Sequence, residues 1–272
     1  MTKWLQEQKW PEVKKYLEKE DLILLPVGSV EQHGFHLPLM TDTAQAIMVA
    51  EAVSEETGIM VAPPIWYGWA PHHLAYPGSV TLRPETLSNL IEDICLSLIY
   101  HGFDRIIVIS GHRTMNLMPI DPTLVRIRYK TGAYVALIDL ALIIIKESKD
   151  MFDSEIGGIG HACEWETSAM LYYRPDLVDM EKATETLIYH GTPLIHNIIP
   201  ADPRIEVSRF SFYRTVEEQA KASGPSGAGG DGTKASAEKG RKILAAQVAN
   251  TKLVIEHARN TDIKVTNRPL PV

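Results

Sequence analysis

Leu22-Ile23-Leu24-Leu25-Pro26-Val27 is an unbroken apolar run of strand length, without the polar alternation of a strand that shows one face to water. Three more segments read the same way: Ile59-Met60-Val61-Ala62, Arg105-Ile106-Ile107-Val108-Ile109-Ser110 and Ala133-Tyr134-Val135-Ala136-Leu137-Ile138. Helical spacing is expected between and after them, over about 44–57, 85–101, 139–149, 164–173 and 234–259. Thr41-Asp42-Thr43 supplies an N-cap for the first of these helices, and Gly102 a stop for the second. Buried strands alternating with helices predict an α/β fold with a mostly parallel sheet.

Outward from that frame, residues 180–232 lose the pattern and end in the Gly/Ser-rich Ser223-Gly224-Pro225-Ser226-Gly227-Ala228-Gly229-Gly230-Asp231-Gly232. The stretch suits a linker or an active-site loop. Because a long helix follows it and can cover the sheet, one domain over 1–272 is expected. The glycines continue into Thr233-Lys234, which inverts the Gly-Lys-Thr ending of a phosphate-binding loop, and no buried strand precedes them, so ATP binding is not expected.

The chain has 272 residues, 45% of them hydrophobic and 22% charged, which excludes intrinsic disorder. A net charge of −7 argues against a nucleic-acid or anionic-membrane partner. Cys95 and Cys163 are the only cysteines and are far apart, so neither a disulfide framework nor a cysteine zinc module is expected. With charges near the N-terminus and no long apolar stretch, a cytoplasmic protein is predicted. Ten histidines among 34 acidic residues are enough to build a metal site without cysteine.

The polar residues fall into clusters. Glu31-Gln32-His33-Gly34-Phe35-His36-Leu37-Pro38-Leu39-Met40-Thr41-Asp42-Thr43 begins just after the first strand, at the end of the sheet where parallel α/β proteins bind ligands. In an extended segment Glu31 and His33 project to one side, and Asp42 can close back toward them. Taken alone, this cluster reads equally well as a helix cap beside surface histidines. Ser110-Gly111-His112-Arg113 follows another strand and so delivers His112 to the same rim, which favours a metal site. Arg113 suits a substrate carbonyl or carboxylate. In Gly160-His161-Ala162-Cys163-Glu164-Trp165-Glu166-Thr167-Ser168 one glutamate is a candidate ligand and His161 a proton shuttle, although glutamates at a helix start also satisfy the dipole. Cys163 is placed too close along the chain to pair with His161 as a nucleophile. His73, in Pro71-His72-His73-Leu74-Ala75-Tyr76-Pro77-Gly78-Ser79, is a candidate pocket wall.

The sequence resembles the creatininase family, the metal-dependent creatinine amidohydrolases and their relatives. The resemblance rests on Pro26-Val27-Gly28-Ser29-Val30-Glu31-Gln32-His33-Gly34 with His36-Leu37-Pro38-Leu39 and Thr41-Asp42-Thr43, and on His73 with Tyr76-Pro77-Gly78-Ser79. It also rests on Gly111-His112, on His161 with Glu164 and Glu166-Thr167-Ser168, and on Gly230-Asp231 with Ala237-Glu238-Lys239-Gly240. It implies a three-layer α/β/α sandwich and a homo-oligomer, often a hexamer. It also implies two divalent ions, zinc, manganese or iron: Glu31 and His112 on one, His33 on the other, and Asp42 bridging. Creatinine-hydrolysing members place a further glutamate where Thr114 stands here, so Glu164 is assigned as the fifth ligand. His161 matches the histidine that hands a proton to the leaving group, and Arg113, His73 and Trp165 are assigned to substrate.

Gly157 stands where creatinine hydrolases carry a tryptophan that packs on the flat ring, which points away from creatinine itself. The implied activity is hydrolysis by a metal-bound hydroxide, cleaving a C–N bond of a small cyclic or formyl amide. The alternatives are ring-opening C–C hydrolysis of a cyclic polyol diketone such as 3-dehydro-scyllo-inosose in inositol catabolism and, further off, a non-catalytic metal-binding protein.

Overall fold

The computed structural model describes residues 2–154, 158–187 and 214–271. Five strands form one all-parallel sheet: β1 (Lys3–Trp4), β2 (Leu22–Val27), β3 (Met60–Val61), β4 (Arg105–Ser110) and β5 (Tyr134–Asp139), in the spatial order β1-β3-β2-β4-β5. The register pairs Leu22 with Arg105 and Val27 with Ser110, then Arg105 with Tyr134 and Ser110 with Asp139, so the three long strands end level with one another.

The apolar run 22–27 is buried throughout because the sheet is covered on both faces. Leu22 and Leu24 point into one core with Ile107 and Ile109, while Ile23, Leu25 and Val27 point into the other with Ile106 and Val108. The first core is closed by α2 (Thr41–Thr57), α5 (Glu164–Tyr173) and α7 (Ala237–Asn260), through Val49, Val53, Trp165, Ile243 and Ile255. The second is closed by α3 (Pro84–His101) and α4 (Leu117–Thr131), with Leu87, Ile91, Ile120, Leu124 and Ile127, and its edge by Val13 and Leu17 of α1 (Trp10–Leu17). A further helix, α6, spans Val216–Ser223. The predicted three-layer α/β/α arrangement is therefore observed, with the parallel order expected of it.

Several local expectations need correction. The stretch 139–149 is not a helix but two short 3-10 turns, Leu142–Ile144 and Glu147–Asp150, because Asp139 Oδ1 accepts from the backbone of Ala141 and Leu142 and bends the chain there. The helix α4 was hidden in the sequence by Pro119 and Pro122, which it carries in its first half. Thr41-Asp42-Thr43 does not cap α2: the helix already begins at Thr41, and Met40 occupies the cap position. Gly102 does end α3, at φ 107°. Gly157 lies outside the described residues, as do 188–213 of the stretch that lost its pattern.

Connectivity fixes where chemistry belongs. From β2 the chain moves to β3 on one side and then crosses to β4 on the other, so the topological switch lies between the carboxyl ends of β2 and β4. A crevice opens at such a point. The segments that leave those two strand ends carry Glu31, His33 and His112.

Candidate metal centre

Three chain segments, joined by His73 from the turn Pro71–His73, bring carboxylates and imidazoles together above the switch point. After β2 the chain turns through Gly34 (φ 70°), and a bridge between His33 and Leu37 folds the loop so that Glu31 and His33 both face inward. Asp42 projects from the first turn of α2, and His112 follows β4 across Gly111. A Cβ at Gly111 would lie 1.9 Å from the Asp42 carbonyl, so only glycine lets the β4 turn come this close to α2. The third segment contributes His161 and Glu166, the latter from α5.

The Asp42 carboxylate divides between two histidines: Oδ1 is 3.2 Å from His33 Nε2 and Oδ2 is 2.9 Å from His112 Nδ1. Glu31 Oε2 also faces His112 Nδ1, at 3.2 Å, while its Oε1 lies 3.2 Å from His73 Nε2 and 3.7 Å from His161 Nδ1. These approaches are off-angle, and both Glu31 oxygens are buried with no hydrogen-bond partner among the described residues. Glu166 Oε2 stands 3.8 Å from His33 Nε2 and accepts from the Ala162 N–H at 2.6 Å. The ligand atoms of Glu31, Asp42 and His112 lie within 4.8 Å of one another, as do those of His33, His161 and Glu166.

Glu31, Asp42 and Glu166 are almost fully buried, and their ion pairs among the described residues are all with histidine. Burying so many acids without a compensating cation is costly, so the imidazoles are drawn toward the charged state. Burial alone would lower His33 and His112, but Asp42 with Glu166 takes His33 up to about 10, and Glu31 with Asp42 takes His112 up to about 9. Burial, with Asp42 and Glu31 adding to it, pushes the Glu166 carboxyl up to about 7 despite His33. Against burial, His112, His73 and His33 hold Glu31 well below the usual carboxylate range. A set that gathers protons in this way presents oxygen and nitrogen donors suited to zinc, manganese or iron. The orphaned Glu31 oxygens are the observation that fits a metal here.

His161 is held by burial and by the nearby His73 and His33 well below the usual imidazole range, so it is neutral. Its side chain is 14% exposed, against 8% or less for its neighbours in the cluster, which places it on the side facing outward. Its ring lies 4.3 Å from that of His33 and 4.2 Å from that of His73.

The sequence expectations sort cleanly against this geometry. Glu31, His33, Asp42, His112, His161 and His73 converge. Glu164 does not: its oxygens accept from the backbone N–H groups of Asp153 and Ser154 at 2.9 and 2.8 Å, and Lys239 closes on it as an ion pair. Glu166 takes the place expected of it, because residues two apart on a helix are about 200° apart around the axis and cannot both face one site. Trp165, expected at the substrate, is fully buried in the core behind the sheet with Ile159 and Ile243. Arg113 sits on the rim, where its Nε donates at 3.3 Å to Oδ2 of Asp139, the last residue of β5.

Sequence reasoning gave Gln32 no role, yet its side chain lies inside the cluster, bonded to Gly227 and against both His73 and His161. This contact also explains the glycine-rich stretch. Gly227 has φ 74°, and a Cβ there would stand 2.3 Å from Gln32 Oε1, so the glycines allow close packing on the site rather than cradling a phosphate.

Comparison with known proteins agrees with this architecture. Residues 6–255 match the family model of creatininase, described as creatinine amidohydrolase. The 3-dehydro-scyllo-inosose hydrolase of Thermotoga maritima is 32% identical over 64% of this chain, which spans 57% of that protein's length. The creatinine amidohydrolase of Pseudomonas putida is 26% identical over 71% of this chain and 80% of its own. The mycofactocin precursor peptide peptidase of Mycobacterium ulcerans is 30% identical over 83% and 81%. A crystal structure of creatinine amidohydrolase superposes with a TM-score of 0.77 at 24% identity, over 96% of this chain and 99% of that one. Structures of a mutant creatininase of Zn-Zn type and of a creatininase with Mn share the fold.

Proposed function

The chain belongs to the creatininase family of hydrolases, and from that premise we propose that it is a hydrolase dependent on two divalent metal ions, cleaving an amide C–N bond in a small substrate. The observation that carries the proposal is the division of the Asp42 carboxylate between His33 and His112 beside the unpartnered oxygens of Glu31. Glu31, Asp42 and His112 would hold one ion, and His33, Asp42 and Glu166 the other. Bound there, such ions would supply water of lowered pKa, toward ~7, and polarisation of the attacked carbonyl.

The protein's own groups do the rest. His161, neutral and on the outward side, takes a proton from the attacking water and passes it to the departing nitrogen, which otherwise leaves as a poor anion. The buried carboxylates hold their geometry before substrate arrives, so orientation is supplied in advance. Arg113, partly exposed on the rim, offers its remaining N–H groups to an oxygen-rich or anionic part of the substrate. Two relatives cleave C–N bonds by name, the creatinine amidohydrolase and the peptidase, and the peptidase match covers most of both chains.

A second reading is ring-opening C–C hydrolysis of a cyclic polyol diketone. It is favoured by the 32% identity to the inosose hydrolase and by Arg113, a suitable partner for a developing enolate. Incubating the metal-loaded protein with creatinine, formylated amines, short peptides and oxidised inositols, with product analysis by mass spectrometry, separates the two. Turnover of oxidised inositols alone would replace the first reading with the second. A homo-oligomeric, cytoplasmic protein belongs to the same proposal, and sedimentation velocity reads the assembly.

A further inference from the structure

Gln32 touches the candidate centre in three ways. Its side-chain oxygen accepts from the Gly34 N–H at 3.0 Å, which assigns the amide: the other end must be the NH2 group. That group lies 2.8 Å from the Gly227 carbonyl oxygen, 2.8 Å from His73 Nδ1 and 2.9 Å from His161 Nε2. An amide nitrogen has two hydrogens, so these three contacts cannot all be hydrogen bonds. The Gly227 carbonyl can only accept, and takes one of them.

The backbone of the same residue decides the other. The carbonyl oxygen of Gln32 is 2.6 Å from His161 Nε2, and a carbonyl facing an imidazole nitrogen at that distance requires a hydrogen on the ring. His161 is therefore protonated at Nε2 and cannot accept there. The second amide hydrogen goes to His73 Nδ1, which makes His73 an Nε2–H tautomer whose N–H faces Glu31 Oε1 off-angle at 3.2 Å. His161 is left with its lone pair on Nδ1, directed toward Glu31 Oε1 at 3.7 Å.

We propose that Gln32 is the positioning residue of this site. Its side chain sets the tautomer of His73 and its main chain that of His161, so that a single residue turns one N–H toward Glu31 and leaves the His161 lone pair on Nδ1, on the Glu31 side of the ring. Without the side-chain amide His73 could adopt either tautomer and its N–H would leave Glu31 for part of the time, whereas the main-chain carbonyl keeps His161 as Nε2–H. Gly227 takes part by accepting the first amide hydrogen, which links the glycine-rich stretch to the orientation of the histidines.

The proposal rests on the hydrolase reading only for its kinetic arm, since the tautomers are observable without turnover. Long-range 1H–15N spectra of the zinc-loaded full chain, with ring signals assigned through His73→Gln and His161→Gln, should show both rings as Nε2–H. Gln32→Glu keeps the size and the Gly34 contact but carries no amide hydrogens, so His73 should move to Nδ1–H while His161 stays Nε2–H. With a substrate in hand, Gln32→Glu should lower kcat about 10–100-fold at unchanged metal content and little changed KM, the usual cost of losing an outer-layer partner. Circular dichroism checks the folding of Gln32→Glu, and an unfolded variant is replaced by Gln32→Met, for which mixed His73 tautomers are expected. The proposal is overturned if His161 or His73 is Nδ1–H in the unsubstituted protein, or if the His73 tautomer is the same after either substitution. Absence of any hydrolase activity would count against the proposed function and leave the tautomer result standing.

Discussion

Glu164 and Glu166 share the first turn of α5 but face different surroundings. The first is bound by two backbone N–H groups and Lys239, while the second reaches the His33 imidazole at 3.8 Å. Their substitutions should therefore separate stability from metal binding. Glu166→Gln should cost one equivalent of metal and lower kcat at least about 100-fold, with the melting temperature of the metal-free protein unchanged or higher as a buried acid is removed. Glu164→Gln should keep both equivalents and lose about 2 kcal/mol of stability through weakened charge-assisted bonds. Metal analysis with calorimetry checks both, and the reverse pattern would restore Glu164 as the ligand.

Removing divalent metal should destabilise the whole fold, because Glu31, Asp42 and Glu166 are then buried with only imidazoles to neutralise them. Free metal at about 1,000 times its Kd contributes about 4 kcal/mol, which for a chain of this size is a fall of roughly 10 °C on stripping. Scanning calorimetry before and after chelation, then after zinc or manganese is returned, measures it. A melting temperature indifferent to chelation contradicts the site.

Acid should destabilise the protein partly through His36. Burial, helped by His33, pushes its imidazole down to about 4, while in the unfolded chain it titrates near 6.5. Between those values the unfolded state binds a proton that the folded state does not, so stability falls as pH drops through this window and is unaffected above it. The loss approaches about 3 kcal/mol by pH 4. Urea midpoints between pH 4 and 7 should slope less steeply in His36→Gln than in the parent protein. Parallel curves would show that His36 titrates normally.

Trp165, expected at the substrate, lies in the core instead of among the clustered side chains. Because its ring fills the core between the sheet and α7, Trp165→Ala should cost about 3–5 kcal/mol, and Trp165→Phe less, with KM unchanged in Trp165→Phe. A raised KM with undisturbed stability would return the side chain to the substrate pocket.

The alternating apolar strands and the clusters at their ends were legible because parallel strands announce themselves as continuous hydrophobic runs, and ligands at a switch point must follow strand ends. The strand register carried Glu31, His33 and His112 to one rim. What stayed hidden depended on angles around a helix or on long-range packing. The choice between Glu164 and Glu166 turns on a half-rotation of α5, Trp165 follows from the same rotation, and Gln32 reads as a spacer until Gly227, nearly two hundred positions later, packs on it. The two prolines of α4 and the cap-like Thr41-Asp42-Thr43 misled for a simpler reason: each has an ordinary local meaning that the tertiary fold overrode.

The assignment of two divalent ions to Glu31, Asp42, His112, His33 and Glu166 is open to anomalous diffraction at the zinc edge, from crystals of zinc-loaded protein. Two peaks are expected, one bounded by Glu31, Asp42 and His112 and one by His33, Asp42 and Glu166, with the loss of at least one peak in Asp42→Asn. An empty cluster in zinc-loaded crystals, or both peaks persisting at full occupancy in Asp42→Asn, would contradict it.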